Sequence, residues 1–261
     1  MDQLLEADNP PHTIGTFDDV DVPGLRLFGQ PGHRDDGTAQ HDDEARTRAA
    51  RESGRVFLNK LRERALAAGA PTVDTRQRHG ELAETLTEQQ DGTRLFVLGR
   101  KGRHSASTRP NNGHGMGRQV EWVVRSLARP VLVVGDAFKA PRRVLLAYDG
   151  SAITRKGVDM IAASPLFQGL TVHVLMAGKA TSDGPRQLDW AVQTLSNAGL
   201  GVVPHIQLGD PQAVVGQAIA THGIDLLVMG AYTHSPLRSL FRGSHTQQLL
   251  KAVRVPTLLL R

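Results

Sequence analysis

The sequence contains no cysteine and few aromatic residues, and these two shortages exclude several classes of protein. Without cysteine, the chain has no disulfides, thiolate nucleophiles, iron–sulfur clusters or cysteine-ligated zinc. Aromatic residues make up only 4% of the chain, which leaves few platforms on which nucleic-acid bases could stack. The 31 basic and 26 acidic residues are interspersed, so the net charge of +5 indicates a soluble surface rather than a nucleic-acid partner.

Long apolar runs and the common catalytic motifs are also missing. No segment approaches the roughly 18 to 20 apolar residues that span a bilayer, and the N-terminal MDQLLEADNPP lacks a signal-peptide core. We therefore expect a cytoplasmic protein with no membrane partner. The 11 histidines form no HExxH motif, and neither a GxSxG elbow nor a GxxxxGK(S/T) loop is present. These absences predict no metal ligands and no catalytic residues.

What the chain does contain is an alternation of apolar strand-like runs and amphipathic helix-like segments. With 261 residues, 39% of them hydrophobic, it is long enough for one large or two small domains. Strands are predicted at 72–78, 94–98, 130–134, 143–147, 171–177, 202–208, 226–229 and 255–260. Helices are predicted at 43–68, 81–90, 118–128, 152–163, 186–198 and 211–221. This order predicts an α/β fold with parallel sheets.

The sequence also repeats itself in order and nearly in register. Residues 197–209 parallel 67–80, residues 226–230 parallel 95–99, and residues 255–260 parallel 129–134. Internal repetition of this kind indicates tandem copies of one unit. We predict an irregular N-terminal arm (1–42), an incomplete first domain (43–135), a linker (136–142) and a complete second domain (143–261).

One stretch of the second copy, residues 225–244, has the character of a phosphate-binding loop. The apolar run 226–229 predicts a buried parallel strand, and Gly230 ends it where the backbone must turn. Gly243 and Ser244 then begin a predicted helix, where unpaired N–H groups and a hydroxyl can receive an anion. Glycines at these places also serve simply to turn and cap the chain, so the spacing is needed to decide.

That spacing resembles the GxxGx9G(S/T) nucleotide motif of the universal stress protein family. Gly230, Gly243 and Ser244 match, whereas Thr233 stands where the motif has its second glycine. The resemblance covers residues 44–261. It implies two tandem Rossmann-like domains of the adenine nucleotide alpha hydrolase-like type, with strand order 3-2-1-4-5. Members with the motif bind ATP, with or without Mg²⁺, so the resemblance implies ATP as the ligand.

The resemblance also assigns the expected nucleotide contacts. Asp149 would lie near the adenosine, Gly209 near the ribose, and Gly230 and the rest of the motif around the phosphates. The complete set of expected contacts is Asp149, Gly150, Ser151, Gly209, Gly230, Thr233, Gly243, Ser244 and His245. A turn followed by a helix cap explains residues 149–151 equally well, and Asp210 before Pro211 is a full N-cap signal.

The first copy lacks counterparts of the first two strands and the first helix. Nothing in residues 1–42 resembles a hydrophobic strand ending in Asp-Gly-Ser. Either the true start lies upstream, which we favour, or this half is a degenerate remnant. Arg118 stands where Ser244 stands in the second copy, and the loop between Gly102 and Gly117 is five residues longer than its counterpart. We therefore expect that the first copy does not bind nucleotide in the family's manner.

Three functional hypotheses follow. The first is a non-enzymatic, ATP-binding stress protein whose copies pack as a pseudo-dimer or whose chains form a homo-dimer. The second is a nucleotide-independent interaction protein of the same fold, which Thr233 favours. The third is a slow ATP hydrolase, for which only Asp149 and Asp210 offer carboxylates beside the expected phosphates.

Overall fold

The computed structural model describes residues 36–78, 81–100, 118–135, 139–179, 181–231 and 253–261. The helices α1 to α6 span Asp36–Ala67, Leu82–Thr87, Arg118–Ser126, Ala152–Ala163, Gly184–Asn197 and Pro211–His222. The strands β1 to β7 span Phe96–Gly99, Val131–Val134, Arg143–Ala147, Thr171–Gly178, Gly201–Leu208, Leu226–Gly230 and Thr257–Leu260. Among the described helices, none combines the length and the apolar character that a bilayer crossing requires.

The strands form one seven-stranded sheet in the order β1-β2-β7-β6-β3-β4-β5. Every neighbouring pair is parallel except β2 and β7. Numbered within the second half alone, the order is 3-2-1-4-5, with β3 as an internal strand. The predicted α/β class with a mostly parallel sheet is confirmed, and the buried strands β3, β6 and β7 are the apolar runs that such a sheet requires.

The two halves meet through their last strands. Val131 pairs with Leu259 and Val133 with Thr257 in the antiparallel β2–β7 ladder. One hydrophobic cluster then draws on both halves, with Phe96 and Val123 from the first and Met229 from the second. The two halves therefore share a sheet and a core.

Local signals fix the ends of the helices in the second half. The hydroxyl of Ser151 accepts a hydrogen bond from the Thr154 amide at 3.4 Å at the start of α4. Asp210 accepts one from the Ala213 amide at 3.0 Å at the start of α6, as its position before proline predicts. Gly223 ends α6 in the left-handed conformation.

Two predictions for the first half are wrong. Residues 72–78 form no strand. By the family's order this segment would be the third strand, whose only neighbour is the second, and the described residues supply no such neighbour. Instead, the Gln77 side chain lies against Gly54 of α1. Helix α1 begins at Asp36 rather than at 43, so the last residues of the predicted arm are helical.

The first half contributes only β1 and β2 to the sheet in the part of the chain that the structure describes. Within those residues β1 is an edge strand, whereas β6, the strand that parallels it in the sequence repeat, is internal. Residues 1–35 of the predicted arm and 136–138 of the linker lie outside the described residues.

Candidate functional site

The candidate site is the crevice at the carboxyl ends of β3 and β6. These neighbours run parallel, with Ala147 opposite Met229. Asp149 follows β3 by two residues and Gly230 is the last residue of β6, so both lie at the same edge of the sheet. The chain leaves β3 toward β4 on one side, while β6 lies on the other. This is the topological switch point, where open α/β sheets bind their ligands.

Asp149 is held in place by the first turn of α4. Its Oδ1 accepts a hydrogen bond from the Ser151 amide at 3.0 Å and a second from the Thr154 hydroxyl at 2.6 Å. The Thr154 hydroxyl also lies 3.2 Å from the Ser151 Oγ. The turn-and-cap role that the sequence allowed is therefore present, and it fixes the carboxylate at the rim of the crevice.

Gly150 is required by its backbone conformation. Its φ is +72°, a region in which residues with a Cβ are strained. A Cβ there would also collide with the Gln187 side chain of α5. The Gly150 carbonyl accepts a hydrogen bond from Arg155 Nε at 3.1 Å, and the Arg155 guanidinium lies 4.8 Å from the centre of the Trp190 ring. The turn after β3 is thus supported from both α4 and α5.

Gly230 lies against the start of α4. A Cβ at this position would meet the Ile153 and Thr154 methyl groups at 3.6 and 3.8 Å, which is ordinary van der Waals contact. Gly230 is therefore not required by packing within the described residues. Its lack of a side chain leaves the end of β6 open toward the crevice.

Gly209 forms the corresponding turn after β5. Its φ is +134°, and its amide donates to the Gly178 carbonyl at the end of β4 at 3.3 Å. Asp210 is engaged as the N-cap of α6. The structure thus brings Asp149, Gly150, Ser151, Gly209 and Gly230 to the carboxyl edge of one sheet.

Thr233, Gly243, Ser244 and His245, which complete the expected set, lie outside the described residues. Sequence reasoning did not single out Thr154 and Gln187, which contact the turn after β3. The signal for Thr154 was its place three residues after the cap residue Ser151. Gln187 carried no local signal, because its contact with Gly150 joins separate elements.

Tyr148, the residue before Asp149, lies in the core beneath the site. It is 2% exposed, and burial raises the pKa of its hydroxyl, an effect that Arg155 partly opposes and Asp149 reinforces. The ring packs in the cluster that includes Val158 and Leu188. It anchors the turn after β3 while the carboxylate of Asp149 stays at the rim.

Fold and site together define an open, doubly wound α/β protein with a candidate ligand crevice at its switch point. Comparison with known proteins gives the family. The model of the universal stress protein family matches residues 141–261. Universal stress protein Slr1230 of Synechocystis sp. is 31% identical over 196 residues, which cover 74% of this chain and 67% of the relative. The chain belongs to the universal stress protein family.

Solved structures agree with this fold. A universal stress protein from Archaeoglobus fulgidus superposes with a TM-score of 0.64 at 16% identity, covering 88% of this chain and 81% of the other. A putative universal stress protein from Pseudomonas aeruginosa gives a TM-score of 0.56 at 18% identity, covering 79% and 77%. At these identities the likeness concerns the fold alone, and its coverage extends over both halves.

Proposed function

We propose that the second half binds ATP, with or without Mg²⁺, in the crevice between β3 and β6, and that the protein acts in a stress response without being an enzyme. The observation that carries the proposal is the position of Asp149 and Gly230 on the two sides of the switch point. An open sheet offers its ligand crevice there, and the family's nucleotide motif begins at Gly230.

The proposed contacts are those that the family resemblance implies. Asp149 and the turn through Gly150 and Ser151 contact the adenosine, and Gly209 at the end of β5 contacts the ribose. The phosphates lie at Gly230, Thr233, Gly243, Ser244 and His245. The open backbone at Gly230, where packing alone would accept a methyl group, supports a close approach of phosphate to β6.

The two carboxylates that the described residues place at this edge support a role without efficient catalysis. Phosphoryl transfer requires a group that positions the attacking water and side chains that hold Mg²⁺. Asp149 accepts hydrogen bonds from the turn that follows it, and Asp210 caps α6. We therefore expect phosphate release from ATP to be slow.

The antiparallel β2–β7 ladder supports the pseudo-dimer arrangement of the two copies. We place the protein in the cytoplasm.

Calorimetric titration of the chain with ATP and Mg²⁺ tests the proposal. Wild-type protein should bind about one nucleotide per chain, and Gly243→Val should abolish the binding because the side chain obstructs the motif's second-to-last position. The matched control is Gly216→Ala, since Gly216 is an exposed glycine of α6 with open space around it. This control should bind as the wild type does.

Thr233→Gly tests the departure from the motif. Restoring the family's glycine should raise nucleotide affinity, because it removes a Cβ and a methyl group from the backbone that faces the phosphates. No saturable binding by either the wild type or this variant, in samples with the far-ultraviolet circular dichroism of a folded α/β protein, would favour the nucleotide-independent interaction protein.

A further inference from the structure

The opposite end of the sheet holds a cluster of histidines. His173 lies on β4, His205 on β5 and His222 in the last turn of α6. Their nearest ring nitrogens all lie within 4.8 Å of one another. His173 is the third residue of a strand whose carboxyl end faces the nucleotide crevice, so the cluster is distinct from the site described above.

The fold brings these residues together by strand register. Strands β4 and β5 pair in parallel with His173 opposite Val203, and His205 follows Val203 by two residues. Because side chains alternate between faces, both rings lie on the face that α6 covers. Leu175 lies on that face too, in the same cluster as Val214 and Ala218 of α6. His222 then reaches the cluster from the end of α6.

Two of the ring nitrogens lie near the spacing that a shared metal ion requires. His173 Nδ1 and His205 Nε2 share a hydrogen bond of 3.0 Å, so one of them carries the proton that a metal ion would replace. Two nitrogens bound to one tetrahedral zinc at ~2.0–2.1 Å would be separated by roughly 3.3 Å. The ring centres of His205 and His222 are 4.6 Å apart. The His222 nitrogen lies within 4.8 Å of the other two, so this ring must move closer to them to share one ion.

The groups around the cluster also affect how well it can bind a cation. Burial, together with repulsion from His205, His222 and Arg143, lowers the pKa of His173. Burial and repulsion from His222 lower the pKa of His205. These shifts favour the neutral imidazole, which is the form that binds metal. The Arg143 side chain, which donates to the His222 carbonyl at 2.9 Å, opposes a cation and limits the affinity.

We propose that His173, His205 and His222 form a binding site for a divalent transition metal, with Zn²⁺ as its ion. Imidazole nitrogens suit Zn²⁺, and three histidines with a water in the fourth position are an established zinc geometry. His205 and His222 are only partly buried, so solvent can supply that water. The metal would tie β4, β5 and the end of α6 together.

The sequence predicted no metal site, because its histidines have no fixed local ligand spacing such as HExxH. These ligands come from three separate elements. The available signal was a histidine inside the apolar run 171–177 together with a second in the predicted strand 202–208. The family's strand order makes those two strands neighbours.

The test uses the full chain without a polyhistidine tag, stripped of metal by a chelator and then titrated with Zn²⁺ or Co²⁺. We expect about one Zn²⁺ per chain and visible absorption bands typical of four- or five-coordinate Co²⁺. At a free Zn²⁺ concentration of about 100 times the Kd, linkage should raise the Tm by roughly 5–10 °C.

His205→Gln and His222→Gln should each remove the Co²⁺ bands and the rise in Tm, because each removes a metal ligand. Both rings are partly exposed, so their loss leaves the core intact. Gln207→Ala is the matched control, because it changes the same face of β5 without changing a ligand. It should bind like the wild type. Zn²⁺ binding that survives in both histidine variants, or no binding by the folded wild type, would overturn the proposal. Neither result depends on ATP.

Discussion

At the scale of single residues, two glycines expected to contact nucleotide differ in why they are glycine. Gly150 has a φ of +72°, so Gly150→Ala should lower the free energy of unfolding by about 1–2 kcal/mol, the cost of a left-handed conformation for a residue with a Cβ. Gly230→Ala meets only ordinary contacts and should leave stability nearly unchanged. Urea denaturation of the two variants measures the difference. Equal losses in both variants would contradict it.

The histidine cluster makes stability depend on pH in the metal-free protein. The pKa of His173 lies below its ordinary value of 6.5, so between that value and the folded-state pKa the unfolded chain binds a proton that the folded chain does not. Stability is therefore unaffected at high pH and falls as the pH drops below about 6.5, by up to about 1.4 kcal/mol per pH unit for each such proton.

Urea midpoints measured between pH 8 and 5 in the presence of a chelator check this expectation. The double variant His205→Gln, His222→Gln removes the neighbouring rings that repel a proton on His173, so its midpoint should fall less steeply. A wild-type midpoint that stays level or rises below pH 6.5 would show that the rings are not held neutral by the fold.

At the scale of secondary-structure elements, Asp225 fixes the entry into β3. Its carboxylate accepts hydrogen bonds from the Lys139 ammonium at 2.8 Å and from the amides of Arg142 and Arg143 at 3.0 and 3.2 Å. The Lys139 hydrogen bond is the main cause of its lowered pKa. Part of the predicted linker is thereby attached to the strand that precedes the nucleotide motif.

Asp225→Ala should lower the free energy of unfolding by about 1–3 kcal/mol, because the amides that it satisfies lose their acceptor. Asp225→Asn retains a carbonyl acceptor and should cost less. Lys139→Ala is the control for the ion pair alone. The Lys139 side chain is 78% exposed, so its loss should have a small effect. Thermal denaturation of the three variants ranks them, and a loss in Lys139→Ala as large as that in Asp225→Ala would contradict this order.

The elements of the second half were predictable because each satisfies its own local rule. Residues 143–147 form an apolar run and are β3 as observed, and Asp210 before Pro211 starts α6 as the cap rule requires. Residues 72–78 have similar strand character but form none, because a strand needs a neighbour that sequence periodicity cannot supply. The histidine cluster was missed for the same reason, since pairing across strands, and not spacing along the chain, brings its members together.

At the scale of the whole molecule, arginines bind the two halves across the β2–β7 ladder. Arg261, after β7, donates to the Leu127 and Arg125 carbonyls at 2.7 Å at the end of α3. Arg100, after β1, donates to the carbonyls of Val253 and Val255 before β7. Burial lowers the pKa of Arg100 without removing its charge, since an arginine stays protonated at neutral pH.

Arg261→Ala should therefore lower the free energy of unfolding by about 1.5–3 kcal/mol, the range for a hydrogen bond that involves a charged group. Arg254→Ala is the matched control, because Arg254 is an exposed arginine beside the same strand. Its loss should stay within about 0.5 kcal/mol. Chemical denaturation measures the loss in each variant. Equal losses would mean that the hydrogen bonds of Arg261 between the halves add no stability of their own.

A shared sheet and core predict that the halves unfold together, and the chain's two tryptophans can test this. Trp122 lies on α3 of the first half and Trp190 on α5 of the second. Trp190→Phe leaves a reporter in the first half, and Trp122→Phe leaves one in the second. Because one cluster joins residues from both halves, fluorescence and circular dichroism should give coincident midpoints in each variant.

Separation of these midpoints, with the Trp122 signal lost first, would mean that the first half folds as a weaker unit that only docks on the second. The first half contributes two strands to the sheet and the second contributes five, within the described residues. It therefore has too little surface to bury by itself and depends on the β2–β7 ladder. Arg261→Ala, made in each single-tryptophan background, removes hydrogen bonds that join the two halves beside that ladder. It should lower both midpoints together if the halves are one unit, and mainly the Trp122 midpoint if they are two.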